Sequence, residues 1–469
     1  MDLESELDPH GTISTNDCRV LPARLLENIL TLGQFYQSTP NAMPVYTMDC
    51  HTLPLIPVDW NVRIMDSAPN QIEAEKKLET DPKNLGRLES IDQFRGFTVA
   101  GMFLVNFVGG YACMPAILRH HNTYCSFADT IMPQFLMAVG LTYRLTFMRR
   151  LNGDNPASAT QHALSRNLGL LLFGFVFHGL DGSVSSYAEL LTRGWRVFIP
   201  TAFERNLFGT LTIIAVTSLW VLPVIGKSVW MRVYWMIFSV ALWLFFGLVP
   251  APWSGATYVD FALNRPVMDG GPLGFLTWTV PLLVGSIAFD WLSLPSGSSR
   301  RMILAGLGLS IAGYAISCVG QPTWAALPFV PPPADPTQMS AKEMVSRVFL
   351  PSDKTEQSEF LKTKVNAWTM SQRVGGPSYL VFSAGFGLLV FQLFRWLCDG
   401  LHWKSSIFHT LSINALAGYV LHPMVASKIK PFVPGDSPAA YVAIAFVWYF
   451  VITWAILRHL EKTKTIIKL

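Results

Sequence analysis

Charge is scarce in this chain. Of 469 residues only 14% are Asp, Glu, Lys or Arg, against 51% hydrophobic, and the mean hydropathy is +0.35. A soluble enzyme of this length carries more charge and fewer apolar residues, so the composition argues against an ordinary water-soluble globule. The net charge of +4 is too small to act as a nucleic-acid signal, and no nucleic-acid partner is expected. The basic residues are informative by where they sit instead. Cysteine is sparse as well. Cys18, Cys50, Cys113, Cys125, Cys318 and Cys398 form no C-x-x-C pair and no zinc-like spacing, which argues against a redox motif or a metal site. No Gly-rich phosphate loop of the Walker or Rossmann kind occurs, so any nucleotide must be held by scattered groups between helices. Acidic residues rather than a basic segment follow Met1, and no cleaved signal peptide is expected.

What is present is a ladder of apolar runs. Residues 1–86 form a separate regime with acidic patches, scattered prolines and no run long enough to span a bilayer, read as a largely flexible cytosolic region with a short amphipathic helix possible over Leu21–Phe35. From Gly96 onward, spans are expected near Gly96–Met114, Phe127–Met148, Leu168–Leu180, Leu207–Ile225, Val233–Val249, Leu273–Leu292, Met302–Val319, Tyr379–Leu397, Ile407–Val425 and Tyr441–Leu457. Most approach the roughly 20 residues that cross the hydrocarbon core. The fold class expected is therefore all-α, a polytopic transmembrane helix bundle of about ten spans over residues 87–469. Basic residues cluster in alternate connections, before the first span, after the second (Arg149, Arg150, Arg166), after the sixth (Arg300, Arg301) and at the C-terminus. The positive-inside rule then puts both termini in the cytosol and the His120–His121 loop on the other side.

The richest stretch is Arg87–Gly110, in which Arg87, Asp92 and Arg95 abut an apolar run carrying Asn106. Charged groups at a membrane mouth orient a helix, bind a polar ligand, or both. Asp92 and Arg95 lie one helical turn apart and so either lock together or leave the Arg95 guanidinium to fork onto phosphate oxyanions. Asn106 either bonds a neighbouring helix or donates its amide to a developing oxyanion. His120 and His121 are adjacent, so in an extended loop only one faces a given site, and either suits acyl transfer as base or acyl carrier. Asp129 begins the second span, as a helix cap or as the group that orients the imidazole. His178, Asp181 and His422 would share that face. Cys113 and Cys125 bracket the histidine loop, as a stiffening disulfide or as two free thiols. The long Gln321–Pro377 segment is the candidate cover of an acceptor site.

Several of these residues recur in ordered motifs. R-x-x-S-I-D-x-x-R-G from Arg87 and V-N-x-x-G-G around Asn106 are followed by A-D-x-x-x-P-x-F-x-x-x-x-G (Ala128, Asp129, Pro133, Phe135, Gly140), P-S-Y-x-x-F-x-A-G-F at Pro377–Phe386, and N-A-L-A-x-Y-V-L at Asn414–Leu421. Together they resemble the catalytic domain of the heparan-alpha-glucosaminide N-acetyltransferase family, from about Arg87 to Leu469. The resemblance implies a multipass membrane acyltransferase that passes an acetyl group from acetyl-CoA to an amino or hydroxyl group of a small-molecule or glycan acceptor. It further implies a catalytic histidine in the loop after the first motif-bearing helix, with Asn106 and Asp129 beside it. Arg95 and Asp92 are the candidate cofactor-binding residues. The chain departs from the family where His120–His121 is followed by Asn122, Thr123 and Tyr124 rather than a tryptophan–asparagine–glycine step. It departs again at Gly209–Ile213, where a glutamine–arginine step is usual. These departures leave the acceptor open. The partners expected are acetyl-CoA, the acceptor and the lipid bilayer, with a second copy of the chain as a further candidate. A competing function is a secondary transporter or channel that keeps the bundle without catalysis, although no internal repeat marks its halves. A noncatalytic scaffold would have no use for the clustered polar residues.

Overall fold

In a computed structural model, the described residues are 88–153, 156–178, 186–194, 208–252, 255–264, 269–292, 298–319, 327–331, 346–351 and 365–465. The region 1–86, Arg87, the Leu21–Phe35 segment and Asp181 lie outside them, as do the Cys18 and Cys50 thiols. Eleven principal helices are labelled here: α1 (Glu89–Val108), α2 (Phe127–Leu151), α3 (Ala157–His178), α4 (Thr210–Trp220), α5 (Val229–Leu248), α6 (Gly274–Leu292), α7 (Ser298–Val319), α8 (Pro377–Arg395), α9 (Ser406–Ile413), α10 (Ala415–Ile429) and α11 (Ala439–Lys462). Among the described residues there is no strand, only an isolated bridge between Pro115 and Pro351.

Among the described residues, five segments are long and apolar enough to cross a membrane: Val229–Leu248, Gly271–Leu292, Ser298–Val319, Pro377–Gly400 and Ala439–Lys462. Around them sit helices of another kind. Helix α2 carries Asp129, Arg144, Arg149 and Arg150, the first half of α3 is polar and includes Arg166, α4 has only 11 residues, and the run expected as one span over Ile407–Val425 breaks at Asn414 into α9 and α10. Outward-facing side chains such as Trp230 on α5, Ile311 on α7 and Trp448 on α11 stay exposed, a surface suited to hydrocarbon rather than water.

The first helix starts earlier than the apolar run suggests, at Glu89 rather than near Gly96. Its polar first turns are packed rather than left at a headgroup surface. Phe94 is fully buried against Phe391 of α8, with ring centroids 5.3 Å apart. Gln93 donates to the Ser405 carbonyl and accepts from the Ser405 amide, joining α1 to the start of α9. Helix α2 starts where Ser126 and Asp129 form a reciprocal capping box, which satisfies amides that have no helical partner. It runs antiparallel to α1, for Val105 packs with Ala128 and Ile131. Its other face meets α6 so closely that a side chain at Gly140 would overlap the Leu282 carbonyl, and one at Gly285 the Met137 carbonyl. Small residues at a helix crossing allow this approach, and the dispersion contacts it brings drive helix association in lipid.

Candidate functional site

The antiparallel run of α1 and α2 carries the two ends of the motif stretch to opposite ends of one cavity of about 980 Å³, at the top of the roughly 300–1,000 Å³ range of small-ligand pockets. Towards one end its lining includes Arg95, Arg150, His162 and Arg166; towards the other it includes Asn106, His120, Asp269, Gln372 and His422. Between them lie apolar groups such as Val99, Met102, Ile131, Phe135 and Val139.

Asp92 and Arg95 do pair: Arg95 Nη2 is 3.2 Å from Asp92 Oδ1. The guanidinium also donates through Nε to Ser412 Oγ at 2.9 Å, and that hydroxyl donates to Asp92 Oδ1 at 3.3 Å. Asp92 is buried, whereas Arg95 remains part-exposed at the cavity wall. The lock and an accessible guanidinium therefore coexist.

Asn106 is exposed near the end of α1. Its Nδ2 lies 3.2 Å from His422 Nε2. His422 Nδ1 faces the carbonyls of Tyr419 and Gly418 at 2.7 and 3.2 Å, so Nδ1 carries the proton and Nε2 accepts from Asn106. One amide hydrogen of Asn106 is thus committed to His422, and the residue itself lines the cavity.

The histidine pair diverges. His120 lines the cavity with 32% of its side chain exposed, and its Nδ1 lies 2.9 Å from Asp129 Oδ1. His121 is buried, its Nε2 donates to the Ala116 carbonyl at 3.0 Å, and its ring stacks on Tyr124 with centroids 4.4 Å apart. The cavity lining does not include it. As a catalytic candidate His121 gives way to His120, because its ring serves the loop's own packing.

Asp129 divides its two oxygens between the roles left open by the sequence. Oδ2 accepts from the Ser126 amide at 2.9 Å as part of the helix cap, while Oδ1 holds the imidazole. Its backbone carbonyl accepts from the Tyr379 hydroxyl at 2.6 Å, the tyrosine of the P-S-Y motif. Burial, the largest influence on His120, lowers its pKa, but the bond and charge of Asp129, the charge of Asp269 and the nearby Gln372 amide, which can accept from the imidazolium, outweigh it, so the net shift is upward. Cys113 and Cys125 are free thiols. Burial, then the charge of Asp129, pushes the Cys125 thiol well up, which keeps it protonated and a poor nucleophile.

The chain matches no known family model and no curated protein.

Asp269 and Gln372, at the histidine end of the cavity, went unremarked in the sequence, as did His162 at the basic end. The first stands before Gly270–Gly271, an Asp-Gly turn signal that announces a turn but no chemistry. The second belongs to the long segment read as a candidate cover, of which residues 327–331, 346–351 and 365–377 are described. Phe329 N donates to the Cys125 carbonyl at 2.8 Å and Ala116 N to the Leu350 carbonyl at 3.0 Å, so these pieces do lie on the histidine loop. For His178 the structure describes the backbone at the end of α3 and not the side chain. No cluster of three or more potential metal ligands occurs among the described residues.

Proposed function

We propose that this chain is a membrane-embedded acyltransferase of about ten spans that transfers an acetyl group from acetyl-CoA to an amine or hydroxyl of a small-molecule or glycan acceptor. The observation that carries this reading is the single cavity with a basic end and a His120–Asp129 end, separated by an apolar stretch. Arg95, Arg150, His162 and Arg166 suit the phosphates of the donor. The apolar stretch suits its pantetheine arm, and the thioester then lies near His120. With Nδ1 committed to Asp129, His120 Nε2 is the free lone pair and the group to act as general base. The acceptor attacks the thioester carbonyl carbon, a C–N or C–O bond forms, and the C–S bond breaks. The acceptor's proton passes to Nε2 and on to the departing thiolate. Asn106 is placed to donate its second amide hydrogen to the carbonyl oxygen as charge develops. With both termini cytosolic, donor phosphates enter from the cytosolic end and the acceptor from the other.

The deciding experiment is acetyl transfer from radiolabelled acetyl-CoA by the protein in lipid, against pooled small-molecule acceptors. His120→Ala should lower turnover about 100- to 10,000-fold, the usual contribution of general-base catalysis, while acetyl-CoA still binds. His121→Ala should cost far less once protein of equal fold is compared. Parent-like turnover in His120→Ala would exclude the mechanism.

A transporter reading rests on a different observation. The break at Asn414 leaves a buried amide whose Nδ2 and Oδ1 both lack partners, and interrupted helices mark ion and substrate sites in transporters. Solute movement across vesicles by a protein that transfers no label would favour it.

A further inference from the structure

Asp269 is built into the cavity at a conformational cost. Its φ is +68°, the left-handed region that Asn and Asp tolerate better than other non-glycine residues. Gly270 and Gly271 follow with φ of +80° and +60°, and Gly375 across from them has +64°. A side chain at Gly375 would stand 2.8 Å from the Gly270 Cα, so the two loops touch backbone to backbone. Four further bonds hold the contact. Gly270 N donates to the Arg373 carbonyl at 3.1 Å, Trp278 Nε1 to the Asp269 carbonyl at 2.9 Å and Thr277 Oγ1 to the Gly375 carbonyl at 2.7 Å, and the Tyr258 hydroxyl donates to the Gly270 carbonyl. Strained backbone fixed from several sides is a common feature of ligand sites.

The clasp sets Asp269 beside Gln372, 103 residues away in sequence, with Gln372 Nε2 donating to Asp269 Oδ1 at 3.1 Å. Both side chains are buried and both line the cavity with His120. That bond leaves two oxygens without donors. Gln372 Oε1 is buried and unpartnered, and Asp269 Oδ2 has no hydrogen-bond donor among the described residues. An unfilled acceptor in a buried place is costly, and one on a cavity wall next to a carboxylate with a free oxygen calls for a ligand that brings hydrogens. The ionisable groups facing Asp269 are His120 and Asp129.

We propose that Asp269 and Gln372 bind the acyl acceptor, Asp269 Oδ2 and Gln372 Oε1 accepting hydrogens from it while His120 takes the proton of the attacking group. The hydrogens come from the second N–H of an attacking amine or from hydroxyls next to an attacking one. This inference rests on the acyltransferase reading. It assigns Asp269 to substrate binding and not to proton transfer, so no bond of the reaction passes through it. Burial, the largest influence, raises the Asp269 carboxyl to about 6, which leaves it largely ionised at neutral pH and able to accept.

Hydroxylamine is a suitable probe acceptor, since it carries both N–H and O–H and its product, acetohydroxamate, is read by colour. The full-length protein in lipid nanodiscs is assayed with acetyl-CoA. Asp269→Asn is the informative variant. Asn keeps the left-handed backbone, and its carbonyl can still accept from Gln372, so only the charge and the free acceptor oxygen go. A hydrogen bond to a charged group contributes about 1.5–3 kcal/mol, so KM for hydroxylamine should rise about 10- to 100-fold while KM for acetyl-CoA stays near the parent value. In the parent, kcat/KM for hydroxylamine should fall on acidification with one proton at His120 and a second near pH 6. Asp269→Asn should lose the second step. Gln372→Ala should also raise the acceptor KM alone. The inference is overturned if Asp269→Asn, melting as the parent does, keeps the parent's acceptor KM and both acid steps. It is overturned equally if both KM values rise together, the mark of a structural role. If Asp269→Asn fails to fold, Gln372→Ala decides by the same two KM values. Acetohydroxamate formed by the parent protein no faster than in the protein-free reaction of hydroxylamine with the thioester overturns the acyltransferase reading, and this inference with it.

Discussion

One residue shows how the site divides its labour. Asp129 caps a helix with one oxygen and holds His120 with the other, so a fold-stabilising role and a tuning role share one carboxylate. The upward shift of His120 fixes the sign of a pH prediction. Neutral imidazole exists only above the raised value, so turnover should be lost as pH falls through a point above the ordinary value of about 6.5. In Asp129→Asn the carboxylate no longer favours the imidazolium and burial dominates. The acid limb should then move to lower pH, while the plateau rate drops because the tautomer is less firmly held. A pH–rate profile in the two proteins checks this, and an acid limb that stays at the same pH in both would show that Asp129 does not tune His120.

At the scale of elements, the bundle is tied by polar clamps near helix ends. Asp290 on α6 meets two guanidiniums, Arg144 of α2 at 3.0 Å and Arg232 of α5. Arg144 also donates to the Ile225 carbonyl at 2.6 Å and Arg232 to Ser286 Oγ at 2.9 Å. Arg232 is fully buried, so its charge depends on this one carboxylate. Removing one partner of a buried pair typically costs about 3–5 kcal/mol. Because Asp290 keeps 24% of its side chain exposed, Asp290→Asn should fall toward the low end of that range. A thermal melt in detergent is the measurement, with a clear loss of stability expected while acetyl-CoA still binds. A second clamp joins α9 to α11, where Glu461 accepts from Thr410 at 2.6 Å and Arg458 at 2.7 Å. Both clamps hold the walls of the cavity without lining it.

For the whole molecule, the expectation concerns orientation. The basic end of the cavity is formed by the first turns of α1, the end of α2 and the first half of α3, and the His120 end by their opposite termini. Under the positive-inside rule the basic end is cytosolic. Ala112→Cys, at an exposed position of the same connection, in a background without other accessible thiols should be labelled by an impermeant reagent only from the non-cytosolic face of sealed vesicles. Labelling from the cytosolic face alone would invert the topology and separate the donor phosphates from their source.

The sequence by itself determined the membrane-suited, all-helical character of the chain, the two open readings of Asp129 as helix cap or partner of an imidazole, and part of the list from which the site is drawn. These features are local. Apolar runs, turn dipeptides and capping residues act within a few neighbours, and their signals add along the chain. The early start of α1 and the break at Asn414 were not legible in this way, because packing against α8 and α9 decides the one and no strong breaker marks the other. Only the tertiary structure put the His120 ring on the cavity wall and kept His121 off it, since the side on which each ring lies depends on how the loop seats against Ala116 and Tyr124. It alone brought Asp269 to Gln372 across 103 residues and Ser412 to Asp92 across 320. Helix packing sets such pairings, and it involves residues whose only common property is the place to which the fold carries them.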